Sequence, residues 1–169
     1  MVVLEASFVV FRLPPWVRNV RKRVVKTPKL HFVDTGLACH LLGIRRPDQL
    51  RTHPLRGALF ESWVASEVRK ARLHARRPAD LFHLRESRGR EIDLIVEGGD
   101  RLHAVEMKSG ATIATEHRTA LRSFVESCAN DAEQAHREVV ARLVHGGRER
   151  QRRSDIDVLP WREVQDAAW

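Results

Sequence analysis

Residues 90–110, REIDLIVEGGDRLHAVEMKSG, constrain this chain more than any other stretch. Two runs rich in β-branched and apolar residues, 91–96 and 102–108, flank Gly98-Gly99-Asp100. Paired glycines followed by an aspartate between such runs predict a β-hairpin. The hairpin carries Asp93 in its first arm and Glu106-Met107-Lys108 at the end of its second.

Side chains alternate faces along a strand, so Glu106 and Lys108 point the same way. Two turns fit the sequence. With Gly99-Asp100 at the tip, Asp93 lies opposite Glu106; with Gly98-Gly99 at the tip, Asp93 pairs with Ala104 and sits diagonal to Glu106. Either register groups Asp93, Glu106 and Lys108, with cross-strand Cβ atoms roughly 5–8 Å apart. Two carboxylates at that spacing can share a hard divalent cation, Mg²⁺ or Mn²⁺; Mg²⁺ takes one or two carboxylates and keeps several waters. A lysine beside the ion can position the attacking water or steady the charge on a phosphate. The competing reading is that Lys108 neutralises the two acids directly, as a structural ion-pair cluster.

An acid on a strand, a turn, and then Glu-x-Lys resembles the pattern of the PD-(D/E)xK nuclease superfamily. The resemblance implies an α/β, restriction-endonuclease-like fold: a mixed sheet flanked by helices. It also implies a metal held by Asp93 and Glu106, with Lys108 as a catalytic residue.

The 169 residues, 43% of them hydrophobic, are enough for one core with room for a small appendage. No apolar run reaches membrane-spanning length and no signal peptide is evident, so no membrane partner is expected. Cys39 and Cys128 match neither a zinc spacing nor a disulfide framework, which favours a reducing compartment, the cytoplasm. The net charge of +8 suits a phosphate-rich partner such as DNA, although an arginine-rich composition also follows from a GC-rich genome.

Two units are expected, 1–45 and 57–169. In the first, 7–13 reads as a strand stopped by Pro14-Pro15, 29–33 as a second strand, and 36–42 as a short helix capped by Asp34 or Thr35 and ended by Gly43. Between the strands lies a basic segment with Arg21, Lys22 and Arg23. Two strands joined by a basic loop look like the wing of a winged-helix unit whose helices are missing. Residues 45–56, with Pro47 and Pro54, read as a linker. A helix over 57–75 carries Leu59, Phe60, Trp63, Val64, Val68 and Ala71 on one stripe, with Glu61 at its edge and Glu67 within it. Residues 81–85 form the first core strand. Arg85, Arg88 and Arg90 then stand at the mouth of the hairpin site, where they would grip phosphate or pair with Glu86 and Glu91. Thr115 is expected to cap a helix over 116–127, with Leu121, Phe124 and Val125 inward. Residues 138–144 and 156–159 read as strands, and 148–153 as an exposed basic loop.

The whole pattern resembles a more specific family, the C-terminal domain of unknown function 4143 of prokaryotic AAA-type P-loop ATPases. The resemblance rests on Phe11-Arg12-Leu13-Pro14-Pro15, the segment Lys29 to Leu37, Gly57-Ala58-Leu59-Phe60-Glu61, Glu91-Ile92-Asp93, Val105 to Gly110, and Val158-Leu159-Pro160-Trp161. It implies an ATPase domain upstream. The chain itself has no Gly-x-x-x-x-Gly-Lys-Ser/Thr, so no ATP hydrolysis is expected of it. A fragment, a truncated gene and a stand-alone descendant all fit. By likeness to the first-helix glutamate of Holliday-junction resolvases, Glu61 rather than Glu67 is expected to complete the site. Three functions follow: Mg²⁺-dependent DNA cleavage, phosphate binding without chemistry, and regulation of an ATPase. In the last, an exposed Trp16 and the apolar Val2-Val3-Leu4 end would favour self-association.

Overall fold

The computed structural model describes residues 2–17, 26–87, 89–153 and 155–169, and its architecture is mixed α/β. Residues 57–169 are dominated by one sheet. Its strands are β3 (Leu81–Arg85), β4 (Glu91–Gly98), β5 (Arg101–Lys108), β6 (Glu138–His145), β7 (Gln151–Arg153) and β8 (Ile156–Pro160), in the spatial order β3-β4-β5-β6-β8-β7. The first three are antiparallel, β5-β6-β8 are parallel, and β7 returns antiparallel at the edge.

A helix covers each face, and strand alternation divides the core between them. The helix α5 (Glu116–Ala129) presents Leu121, Phe124 and Cys128 to Ile95, Leu102, Ala104, Leu143 and Val158. The long helix α4 (Arg56–His74) presents Val64 and Val68 to the alternate residues Leu94, Val96, Val105, Val144 and Leu159. The helix stripe of the sequence analysis is therefore the face that α4 buries. Thr115 precedes α5 in helical backbone geometry and makes no side-chain cap, so α5 starts without the hydroxyl cap expected of it.

The hairpin register pairs Leu94 with Val105 and Gly98 with Arg101, which places the turn at Gly99-Asp100. Gly99 has φ 56°, a left-handed conformation that costs glycine little. The alternation breaks at the other end of β4. Leu84 pairs with Ile92 and Phe82 with Ile95, so two steps along β3 span three along β4. Ile92 and Ile95 consequently enter the same core cluster. This bulge falls at Asp93 and Leu94; an extra residue of this kind re-aims side chains beside functional sites.

The first unit differs from expectation in three ways. A short helix, α1 (Val2–Ala6), precedes the strand, which is confined to β1 (Val10–Leu13); α1 buries nothing, and Val2 and Val3 are exposed. The proposed linker holds α3 (Pro47–Thr52), which Pro47 begins and Gln49 caps through its side chain. Trp16 is buried, not exposed, because it packs against Phe124 in a tilted arrangement with ring centroids 5.3 Å apart and donates from Nε1 to Glu97 at 2.8 Å. The remaining elements follow the sequence reading. β2 (Lys29–Phe32) pairs with β1, and α2 (Thr35–Leu41) is capped by Asp34, whose carboxylate accepts from Gly36 N at 2.7 Å. The expected basic loop 148–153 is partly β7, since an arginine-rich run gives no alternation from which a three-residue strand could be read.

Candidate functional site

The site lies at the end of the β4–β5 hairpin away from its turn. Beyond the Leu94–Val105 pair the bulge turns Asp93 between the strands. Its Oδ2 accepts a hydrogen bond from Met107 N at 2.9 Å, as a neighbouring carbonyl would in an unbroken ladder. Asp93 Oδ1 is left toward the cluster. Glu106 and Lys108, on either side of Met107, form an ion pair at 2.6 Å. Glu61, half-buried on α4, faces the same space.

Lys29, which the sequence analysis did not place at the site, and Glu91, which it read only as a partner for arginine, complete the cluster. Lys29, the first residue of β2, places its ammonium 2.8 Å from Glu91, 3.5 Å from Asp93 and 3.8 Å from Glu61. Four carboxylates and two ammonium groups thus meet at one place. Lys29 was hidden because β2 inverts the usual pattern: Leu30 is 44% exposed while His31 is 5% exposed. Lys29 and His31 share the inward face, and the polar-in alternation was the available signal.

The electrostatics reflect crowding of like charges in partial burial. Burial, reinforced by the charge of Asp93, pushes Glu106 up to about 7 despite the Lys108 bond. Burial and Asp93 also raise Glu61 against the pull of Lys29 and Lys108. Burial works against the Lys29 ammonium, but Asp93, Glu91 and Glu61 outweigh it and hold Lys29 above the ordinary lysine range. Lys108 is raised in the same way, its burial being outweighed by the hydrogen bond and charge of Glu106. Glu91 is lowered: burial would raise it, but Lys29 prevails.

The backbone behind Lys108 is held tightly. Gly146 N donates to Lys108 O and to Gly110 O, both at 3.0 Å, and Arg56 Nη2 donates to Ser109 O at 2.6 Å. A Cβ on Gly146 would lie 2.2 Å from Ser109 O, so only glycine permits this approach.

The other candidates divide. Glu67 is buried but pairs with Lys70 and accepts from Gln165, outside the cluster. Arg85 is exposed. Arg90 is not free at the mouth: it pairs with Glu86 at 2.5 Å and donates to Ser123 O on α5 at 3.0 Å. Arg150, in the proposed basic loop, is bound to Asp157 and Glu163. Arg21, Lys22, Arg23 and Arg88 lie outside the described residues. Among the described residues, no group of three or more His, Cys, Asp and Glu side chains is arranged to hold a metal ion. What is present is a pair of carboxylates, Asp93 and Glu106, close enough for the charge of one to act on the other. No helix among the described residues is long and apolar enough to cross a membrane.

A family model for a domain of unknown function, DUF4143, matches residues 56–164, and one for another domain of unknown function, DUF8612, matches residues 1–48. The chain is 37% identical over 120 residues to the uncharacterized proteins Mb2031c of Mycobacterium bovis and Rv2008c of Mycobacterium tuberculosis. These alignments cover 70% of this chain and 26% of each relative, so the chain matches a minor part of either protein.

Proposed function

We propose that this chain, which belongs to the DUF4143 family, carries a PD-(D/E)xK nuclease site on a restriction-endonuclease-like sheet and cleaves DNA phosphodiester bonds with Mg²⁺ or Mn²⁺. The supporting observation is the convergence of Asp93, Glu106 and Lys108, with Glu61 from α4, where the hairpin strands part. The donor chemistry fits a hard cation. Asp93 has one oxygen engaged by Met107 N and one directed to the cluster, and Glu106 suffers the repulsion that a divalent ion relieves. Asp93 and Glu106 would hold the ion. When bound, it supplies Lewis acidity to a phosphate oxygen and lowers the pKa of water. Lys108 would orient the attacking water and steady the developing phosphate charge, and Glu61 would accept a hydrogen bond from that water. Exposed Arg85, with Arg21, Lys22, Arg23 and Arg88, would contact DNA phosphates. The β1–β2 hairpin with α2 is read as a winged-helix remnant, and an AAA-type ATPase domain or a second copy of the chain as a partner.

The test is incubation with plasmid, branched and single-stranded DNA in Mg²⁺ or Mn²⁺, beside Lys108→Ala and Asp93→Asn. Cleavage by the wild type alone is expected. Equal nicking by all three would exclude the reading.

One observation favours a second reading. Lys108 already neutralises Glu106, and Lys29 lies against Asp93, as in a structural ion-pair cluster of a module that binds nucleic acid without cutting it. Such a module binds DNA without a divalent metal, and its affinity falls steeply with salt, with a log–log slope near −0.9 per phosphate contact.

A further inference from the structure

Lys29 reaches the carboxylates from the part of the chain matched by DUF8612, whereas Glu61, Glu91, Asp93 and Glu106 belong to the part matched by DUF4143. Its position is braced on both sides. Two residues before it, Thr27 O accepts from the His83 ring at 3.1 Å. Two residues after it, the His31 ring meets Ser62 Oγ on α4 at 3.1 Å, and Ser66 Oγ donates to Val33 O at 2.6 Å. The hairpin is thus fastened to β3 and α4 by neutral contacts, and the Lys29 ammonium is delivered to Asp93 Oδ1, the aspartate oxygen that Met107 N leaves available.

We propose that Lys29 is the resident counter-ion of this site, and that its ammonium and a divalent cation exclude one another at Asp93. The inference rests on the metal-site reading above. An ammonium 3.5 Å from Asp93 Oδ1, with Glu61 3.8 Å away on its other side, occupies the approach that a cation on Asp93 needs. Two cations at such separations repel strongly in a partly buried setting. The side chain is long and flexible, and Glu91, its nearest partner and not a proposed metal ligand, gives it a carboxylate to retreat with. The hairpin therefore sets the metal affinity of a site built on other strands.

The wild type, Lys29→Met and Lys29→Arg are titrated with Mn²⁺ alone by calorimetry at pH 8, after circular dichroism confirms folding; Lys29→Gln replaces Lys29→Met if that variant does not fold. Lys29→Met is expected to bind Mn²⁺ roughly tenfold or more tightly than the wild type, and Lys29→Arg no more tightly. The Lys29 ammonium resonance, assigned by its loss in Lys29→Arg, is followed with diamagnetic Mg²⁺ and is expected to shift as the site saturates, since the ammonium leaves Asp93 while keeping Glu91. Equal Mn²⁺ affinity of wild type and Lys29→Met, or an ammonium signal unmoved by saturating Mg²⁺, overturns the exclusion and leaves the metal site standing. Failure of every chain to bind Mn²⁺ overturns the metal-site reading and the exclusion with it.

Discussion

Asp93 takes the hydrogen bond of Met107 N–H at the point where β4 and β5 cease to pair. One carboxylate thereby ends a sheet ladder and offers its other oxygen to the cluster. Asparagine can repeat the first task without the charge; alanine cannot do either. Asp93→Asn should keep near wild-type stability and lose Mn²⁺ binding. Asp93→Ala should lose binding and cost a further ~1–3 kcal/mol for a buried donor left unpaired, as measured by urea unfolding.

Glu106 gives the pH dependence. Its folded pKa of about 7 lies above the ordinary 4.5, so between those values the folded chain binds more protons than the unfolded one. Its contribution to stability therefore falls as pH rises from about 4.5 to 7. His31 and His103, each pushed down to about 4 by burial and then by nearby cations, act oppositely: between their ordinary 6.5 and about 4 the unfolded chain binds more protons, so stability is lost as the pH drops. In metal-free wild type these trends partly cancel. Glu106→Gln should expose the histidine trend and lose stability more steeply on acidification. At pH 8 it should be more stable than the wild type, by up to about 3 kcal/mol. Denaturant midpoints across the pH range check both.

Gly146 tests the backbone behind Lys108. With Ser109 O in the path of any Cβ, Gly146→Ala must displace the end of β5. A loss of ~1–3 kcal/mol is expected, with loss of the proposed DNA cleavage although every acid and Lys108 itself remain. Thermal melting beside the plasmid assay measures the two effects.

Trp16→Ala asks whether the N-terminal segment is an appendage. The ring packs on Phe124 in the main core, so truncation should cost about 3–5 kcal/mol. A change below 1 kcal/mol in urea unfolding, a small fraction of ordinary core truncations, would mean that the segment does not support the sheet.

The hairpin was legible because Gly98-Gly99-Asp100 interrupts two strongly β-forming runs, and α4 because its apolar stripe runs for most of its length. The order of α4, β3, β4, β5, α5, β6 and β8 followed from the same local signals, whereas α1, α3 and β7 did not. The bulge at Asp93 was not legible, since the extra residue exists only relative to β3, a pairing that β4 alone does not encode. Lys29 escaped for a related reason. A lysine at the start of a strand reads as solvated until α4 and β4 are seen to close around it. Trp16, after two prolines, has the local appearance of a loop residue, and only its distant partners Glu97 and Phe124 make it core.

The backbone around Trp16 also has a consequence for the order of folding. Trp16 N donates to His83 O at 2.7 Å and His83 N to Pro14 O at 3.0 Å, so this segment covers the outer edge of β3. Uncovered sheet edges invite pairing between chains. During synthesis the segment leaves the ribosome long before β3 does, and it has no partner until the strand arrives. Until the strand arrives, two complementary edges are open to neighbouring nascent chains.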